Sequence, residues 1–208
     1  GLPVSNSFLI ANNRKLMQDR IQGERLRAQY TCGMMGRLPD FMNGWVTDMS
    51  LIPHVLGAKD KKFADNANAY LAHCRDDDVC MTHTLVDPQI DRSKGVETQQ
   101  GVKIVKETST GIIVSGARML STLAPVSEEL LVGPFMPRKP GEEAYAVAFA
   151  IPMAAEGLRF IARETYDHGR NNYDRPLSSR FDEGDAIAIL DNVLVPWENL
   201  FVHRDMQR

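Results

Sequence analysis

The chain has 208 residues, a formal net charge of −3 and a sequence pI near 6.0. Apolar residues make up 43% and charged residues 25%, which is typical of a globular protein. The small negative charge argues against a nucleic acid or an anionic membrane as the partner. No apolar run is long enough to cross a bilayer and no signal-peptide pattern opens the chain, so a cytoplasmic location is expected.

The first third of the chain is predicted to be helical. A 3.6-residue apolar period predicts a helix over residues 5–29, with Ser5 or Asn6 as N-cap and a charged opposite face. A second helix is predicted over 44–55, where Pro53 interrupts it. A third follows Gly57 and carries an apolar stripe from Phe63 to Cys74, and it should end before residues 76–78, since three acidic residues oppose the macrodipole at a helix C-terminus.

The rest of the chain is predicted to be β-structure. Short β-rich runs are separated by turn residues at 102–107, 111–120, 129–135, 144–153, 158–165 and 186–195. Six strands without helices between them favour an antiparallel sandwich or barrel over βαβ units. The predicted class is therefore α+β, with a helical domain over residues 1–79 and a β-domain over residues 80–208.

Two polar segments have the composition of binding loops. Residues 81–92 combine a histidine, hydroxyls, an amide and an arginine around Asp87-Pro88, where proline excludes helix. Residues 33–43 again set charged and aromatic side chains beside glycine and proline. Together they predict a ligand site. The odd number and irregular spacing of Cys32, Cys74 and Cys80 predict buried free thiols, with neither a disulfide framework nor a metal site.

Several motifs carry a resemblance to a known family. They are Arg37-Leu38-Pro39-Asp40-Phe41, the segment 81–92, Gly116-Ala117-Arg118-Met119-Leu120-Ser121-Thr122, the segment 176–183 and the segment 191–198. In this order they resemble the 4-hydroxyphenylacetate 3-hydroxylase family, the oxygenase components of two-component flavin monooxygenases. The resemblance implies a fold like that of acyl-CoA dehydrogenases, with this chain covering the end of the helical domain and the middle β-domain but not the C-terminal helical bundle.

The resemblance also implies the activity and its partners. Members use FADH2 and O2 to hydroxylate a phenol such as 4-hydroxyphenylacetate, and a separate NAD(P)H-flavin reductase supplies the reduced flavin. No GxGxxG motif follows a predicted strand here, which agrees with a chain that has no nicotinamide site of its own. The resemblance implies a homotetramer for the full-length protein. It implies no metal ion.

The resemblance assigns site residues by position. Arg37 and His83 are the expected catalytic residues, which hold the phenolic oxygen. The expected substrate contacts are Arg37, Asp40, Phe41, His83, Phe135 and Met136, and the expected flavin contacts are His83, Thr84, Leu85, Gln89, Ile90, Asp91, Arg92 and Thr122. Chemically, a guanidinium favours phenolate over phenol, and a histidine either accepts the phenolic proton or donates a hydrogen bond. The residues alone leave both histidine roles open.

One departure from the family keeps alternatives open. Phe41 stands where 4-hydroxyphenylacetate hydroxylases usually carry a tyrosine, and phenylalanine cannot donate a hydrogen bond to the phenol. A halophenol or nitrophenol hydroxylase is therefore an alternative. Two others are a lyase like 4-hydroxybutyryl-CoA dehydratase, which needs several cysteine ligands where only Cys32 is close to Arg37 in sequence, and an inactive fragment or scaffold.

Overall fold

The structure is a computed structural model that describes residues 4–88, 93, 99–134, 136–167, 169 and 173–205. Its helical part comes first in the chain. The α-helices are α1 Arg14–Tyr30, α2 Pro39–Ser50, α3 Pro53–Leu56 and α4 Lys61–Asp76. None of the helices in these residues is long and apolar enough to cross a membrane.

Strands follow the helices and form two sheets. They are β1 Met81–Thr84, β2 Lys103–Glu107, β3 Gly111–Thr122, β4 Glu129–Val132, β5 Val147–Pro152, β6 Leu158–Ala162, β7 Asp185–Pro196 and β8 Leu200–His203. One sheet has the order β1-β4-β5-β8 and the other the order β2-β3-β7-β6. Neighbouring strands are antiparallel except β1 and β4, which are parallel and pair His83 with Leu131.

The two sheets share one apolar core. Leu130, Val132 and Phe149 contribute to it from the first sheet, and Ile112 and Val195 contribute from the second. All of these side chains are fully buried. Since burial of apolar area is the main force that favours folding, this core fixes the ends of β1, β3 and β7, where the polar residues described below lie.

A second core joins the helices to the first sheet. Met42 and Val46 of α2 and Cys74 of α4 are buried with Leu131 of β4 and Phe201 of β8. The apolar stripe predicted for the third helix therefore does face a core, as the period of 3.6 residues requires. This packing holds α2 against β1, which brings Phe41 and Trp45 to His83.

The predicted helix boundaries need correction. Helix α1 begins at Arg14, because Asn13 is its N-cap and accepts a hydrogen bond from the backbone of Leu16 at 3.0 Å. Ser5 instead caps a single 3-10 turn at Asn6–Phe8, after which the chain is extended. No residue of α1 is buried, so its apolar stripe has no core in this structure.

The ends of the other helices also differ from the predicted ones. Helix α2 starts at Pro39, five residues before the prediction, because proline without an N–H is well suited to the first helical turn. For the same reason Pro53 opens α3. Helix α4 includes Asp76, and only Asp77 and Asp78 lie beyond it.

All six predicted strands exist with shifted ends, and two others were missed. Strand β1 was interpreted as part of a binding loop because its four residues, Met81–Thr84, are too few to show a period. Strand β8 at Leu200–His203 is similarly short. The three cysteines are free thiols, of which Cys32 is exposed and Cys74 is buried.

Candidate functional site

His83 lies on β1 with its ring held by two aromatic side chains of α2. The ring centroids of Phe41 and Trp45 each lie 5.7 Å from that of His83, Phe41 tilted at 54° and Trp45 edge-on at 76°. His83 is 9% exposed. The imidazole is therefore fixed in orientation by packing rather than by a hydrogen bond, and this leaves its nitrogens available.

The environment of His83 favours its neutral form. Burial lowers the pKa of His83 below its usual value, and the positive charge of Arg37 lowers it further. Within the described residues, no group hydrogen-bonds to either ring nitrogen. At neutral pH the imidazole is thus unprotonated, with one nitrogen able to accept a proton from a ligand.

Arg37 is tied to the second sheet by a chain of hydrogen bonds. Its Nη1 donates to Oγ1 of Thr122 at 3.1 Å, and that hydroxyl donates to Oδ1 of Asp185 at 2.8 Å. The backbone N–H of Arg37 donates to Oε1 of Glu183 at 3.3 Å. The loop that precedes α2 is therefore fastened to the end of β3 and the start of β7.

Strand pairing explains why Thr122 and Asp185 meet. They are partners in the antiparallel register of β3 and β7, so their side chains lie on the same face of the sheet. The hydroxyl of Thr82 on β1 donates to the carbonyl oxygen of Thr122 and joins β1 to this corner. Thr122 and Thr82 are both buried, which makes the corner rigid.

A cleft of about 720 Å³ adjoins this corner. Its walls come from α1, from the loop after α1 and from α2, and Leu85 closes one side. Phe41 and Trp45 separate the cleft from His83, since each lines the cleft and also contacts the imidazole ring. Its volume is in the range of small-ligand sites.

The comparisons with known proteins match this architecture. The family profile described as "4-hydroxyphenylacetate 3-hydroxylase N terminal" matches residues 1–202. The chain belongs to the 4-hydroxyphenylacetate 3-hydroxylase family. A Geobacillus relative described as 4-hydroxyphenylacetate 3-monooxygenase oxygenase component is 40% identical over 208 residues, which are 97% of this chain and 42% of the relative. A Thermus thermophilus protein of the same description is 40% identical over 200 residues, 94% of this chain and 40% of that protein.

Solved structures show the same fold. A crystal structure of the oxygenase component of 4-hydroxyphenylacetate 3-monooxygenase complexed with FAD and 4-hydroxyphenylacetate superposes with a TM-score of 0.90 at 38% identity, covering all of this chain and 43% of that one. An archaeal 4-hydroxybutyryl-CoA dehydratase superposes with a TM-score of 0.82 at 21% identity, which shows the fold alone. The chain thus spans about two fifths of the length of these proteins.

The structure brings together three of the residues that sequence singled out for this family. Arg37, His83 and Thr122 converge, with Phe41 against His83. Asp40 lines the cleft, and its carboxylate also lies 3.0 Å from Nε of Arg27 on α1 and accepts from Ser5 at 3.1 Å.

Other predicted contacts divide into four groups. Leu85 lines the cleft, whereas the hydroxyl of Thr84 donates to the carbonyl of Met119 at 3.2 Å and is used within the fold. Met136 is 65% exposed and points to solvent. The remaining predicted residues lie outside the described residues; they are Gln89, Ile90, Asp91, Arg92 and Phe135. In the described part of the chain, no group of three or more His, Cys, Asp or Glu side chains is arranged to hold a metal ion.

Sequence reasoning missed three residues of the site. Trp45 lies four residues after Phe41 on the same helix face, and this spacing was the signal that could have found it. Glu183 and Asp185 are far from Arg37 in sequence and reach it only through the pairing of β3 with β7. Glu183 belongs to the 176–183 motif, but neither the motif nor any local pattern shows that Glu183 or Asp185 lies near Arg37.

Proposed function

We propose that the protein containing this chain is the oxygenase component of a two-component flavin monooxygenase that hydroxylates 4-hydroxyphenylacetate or a closely similar phenol with FADH2 and O2. The observation that carries the proposal is the neutral imidazole of His83, which lies against the ring of Phe41 and is near enough to the guanidinium of Arg37 for that charge to act on it. A phenol needs these groups: a positive charge, a proton acceptor and an apolar wall.

Each residue of the site has a separate role in the reaction of the phenol. Arg37 keeps its positive charge at all relevant pH and stabilises the phenolate oxygen. A ring nitrogen of His83, neutral because of its depressed pKa, accepts the phenolic proton. Loss of that proton raises the electron density of the ring beside and opposite the oxygen. Phe41 and Trp45 keep water from the imidazole, so the proton transfer takes place in a partly desolvated site.

The residues present fit a flavin. Phe41, Trp45 and Leu85 line the cleft with apolar surface, and the hydrogen-bonded pair of Arg37 and Thr122 offers polar groups outside the cleft lining, a combination that suits a flat ring system with a polar edge. We propose that His83, Thr84, Leu85 and Thr122 hold it together with residues 89–92. The reduced flavin, when bound, supplies the activation of O2.

A nitrophenol is the second candidate substrate. Phe41 has no hydroxyl, is 47% exposed and offers the phenol only an apolar face. A Rhodococcus protein described as 4-nitrophenol 2-monooxygenase, oxygenase component, is 33% identical over 178 residues, 82% of this chain and 33% of that protein. We place this candidate second because the relatives with higher identity carry the 4-hydroxyphenylacetate description.

The remaining parts of the proposal concern the whole protein. The partner is an NAD(P)H-flavin reductase, the location is the cytoplasm, and the assembly is a homotetramer. Residues 1–79 and 80–208 correspond to a helical domain and a β-domain, in which the two sheets make a sandwich like that of acyl-CoA dehydrogenases. A helical bundle beyond them completes the flavin site.

The test is made on the complete gene product. Titration with reduced FAD without oxygen measures binding, and oxygenated buffer is then added with 4-hydroxyphenylacetate, 4-nitrophenol or no phenol. We expect reduced FAD to bind and 4-hydroxyphenylacetate to give a dihydroxylated product with little hydrogen peroxide. Product from 4-nitrophenol alone selects the second candidate. Failure to bind reduced FAD, together with no product from either phenol, refutes the proposal.

A further inference from the structure

Two buried arginines share a single carboxylate, that of Asp87, which follows His83 by four residues in the chain. Nη1 of Arg118 on β3 contacts Oδ1 of Asp87 and donates to the carbonyl of Leu85 at 3.1 Å. Nη1 of Arg138, from the loop between β4 and β5, lies 2.7 Å from Oδ2 of Asp87. The Arg118 side chain is 0% exposed and the Arg138 side chain is 9% exposed.

Each guanidinium keeps two buried nitrogens without an acceptor. Nε and Nη2 of Arg118 and Nε and Nη2 of Arg138 have no hydrogen-bond partner in the described part of the chain. A buried donor left unpaired is unfavourable, and more so when it is charged. Buried polar groups in proteins nearly always have partners, so an acceptor is missing from this cluster.

The charges around the cluster show what kind of acceptor fits. Arg138 lies over one ring face of Tyr145 at 5.9 Å, and Lys103 lies 5.7 Å from the same ring. The nearby acids are Asp87, which both arginines already share, and Glu142, whose two oxygens accept from Gln99 and from the backbone of Lys139. Among the described residues the cations therefore outnumber these two acids, and an anion would balance them.

The direction of the Arg138 side chain is a separate observation. Its neighbours in the loop between β4 and β5, from Met136 to Pro140, are exposed, whereas the guanidinium of Arg138 turns inward. Burial of a charged group is unfavourable unless it is paired. The Arg138 side chain is long enough to reach water from this exposed loop, yet its guanidinium is buried and loses its hydration.

We propose that Arg118 and Arg138 form an oxyanion subsite beside the phenol site, for a carboxylate of the substrate or a phosphate of the flavin. The proposal rests on the proposed function. Guanidinium groups bind both oxyanions by paired, charge-assisted hydrogen bonds, and the free Nε and Nη2 of each arginine form such a pair.

The position of the subsite favours the carboxylate. Asp87 follows His83 by four residues, about 13 Å in extended chain. A phenol with an acidic side chain opposite its hydroxyl can span much of this distance. The arginine side chains extend toward its carboxylate and cover the rest. Arg138 would then determine specificity: it would select phenolic acids over neutral phenols in a protein where Phe41 offers the phenolic end no hydrogen bond.

Binding of matched ligand pairs to the complete gene product tests the subsite. One pair is 4-hydroxyphenylacetate and its neutral amide, 4-hydroxyphenylacetamide; the other is reduced FAD and reduced riboflavin, which has no phosphate. Dissociation constants without oxygen are measured for the wild type, Arg138→Met, and the control Arg159→Met, whose side chain is 70% exposed on β6. Both variants lose one arginine and one ion pair.

We expect Arg138→Met to reduce the preference for one anionic ligand over its neutral partner by about 10- to 100-fold, the effect of one hydrogen bond to a charged group. Loss of the carboxylate preference identifies the substrate as the source, and loss of the phosphate preference identifies the flavin. Arg159→Met should change neither. If Arg138→Met does not fold, Arg138→Lys decides the question, because lysine keeps the charge but removes the paired donors.

Two results refute the subsite without refuting the proposed function. Unchanged preferences in Arg138→Met, with wild-type binding and hydroxylation intact, would mean that water satisfies the buried nitrogens. Equal losses in Arg138→Met and Arg159→Met would mean that the effect is not local. A wild type that binds neither reduced flavin nor phenol instead refutes the proposed function itself.

Discussion

Replacing Arg37 with methionine separates the chemistry of the site from its stability. The guanidinium makes one side-chain hydrogen bond, to Thr122, and Arg37 is exposed. Loss of such a bond costs the fold about 0.5–1.5 kcal/mol at most. A hydrogen bond to a developing phenolate is charge-assisted and contributes about 1.5–3 kcal/mol, so kcat/KM should fall about 10- to 100-fold.

The same substitution should change the pH profile. Arg37 lowers the pKa of His83 by its charge, so this pKa rises when the charge is removed. His83 must be unprotonated to accept the phenolic proton. The acidic limb of the kcat/KM profile for 4-hydroxyphenylacetate should therefore move to higher pH in Arg37→Met. Product formation is measured from pH 5 to pH 9 with saturating reduced FAD, and thermal unfolding is followed on the same samples.

Arg159→Met is the matched control, because this substitution also removes one polar contact, the hydrogen bond from Arg159 to Asp191 at 2.9 Å. We expect it to keep the kcat/KM and the pH profile of the wild type. The reasoning is refuted if Arg37→Met retains full activity. It is also refuted if the loss of activity comes with an equal loss of folded protein, or if the acidic limb stays in place.

Three further predictions concern residues around the site and in the core. Asp185→Ala removes the acceptor of the Thr122 hydroxyl and should raise the KM for the phenol roughly two- to tenfold with a smaller change in kcat; an equal fall in kcat would contradict a positioning role. The pKa of His73 is raised by its hydrogen bond to Glu129, so protonated His73 stabilises the fold below its unfolded pKa, near 6.5, and this contribution is lost as pH rises through the folded pKa. Denaturant unfolding should show that the free energy of unfolding falls more between pH 6 and pH 8.5 in the wild type than in His73→Gln. Equal falls in both proteins would disprove this role of His73. Phe149→Ala should lower the free energy of unfolding by about 3–5 kcal/mol, and Phe149→Leu by much less; similar values for both would mean that Phe149 is not tightly packed.

Local patterns in the sequence were sufficient for the element types and for part of the site. The apolar stripe of α4 and the β-rich runs are signals of period 3.6 and period 2, which depend only on neighbouring residues. The short strands β1 and β8 have no such signal, because four residues cannot show a period. Asp40 shows what a motif leaves out: the motif places it at the cleft, and only the fold shows that its carboxylate also contacts Arg27 of α1.

The sequence by itself determined the family, the α-then-β order and the choice of Arg37 and His83, since these depend on residue types in a fixed order. The tertiary structure alone decided which groups surround them. Asp185 reaches Arg37 through a strand pair 63 residues apart, from Thr122 to Asp185, and Arg138 meets Arg118 only because the loop after β4 folds over Asp87. Contacts between distant residues arise from packing and strand register, and neither is encoded in a local pattern.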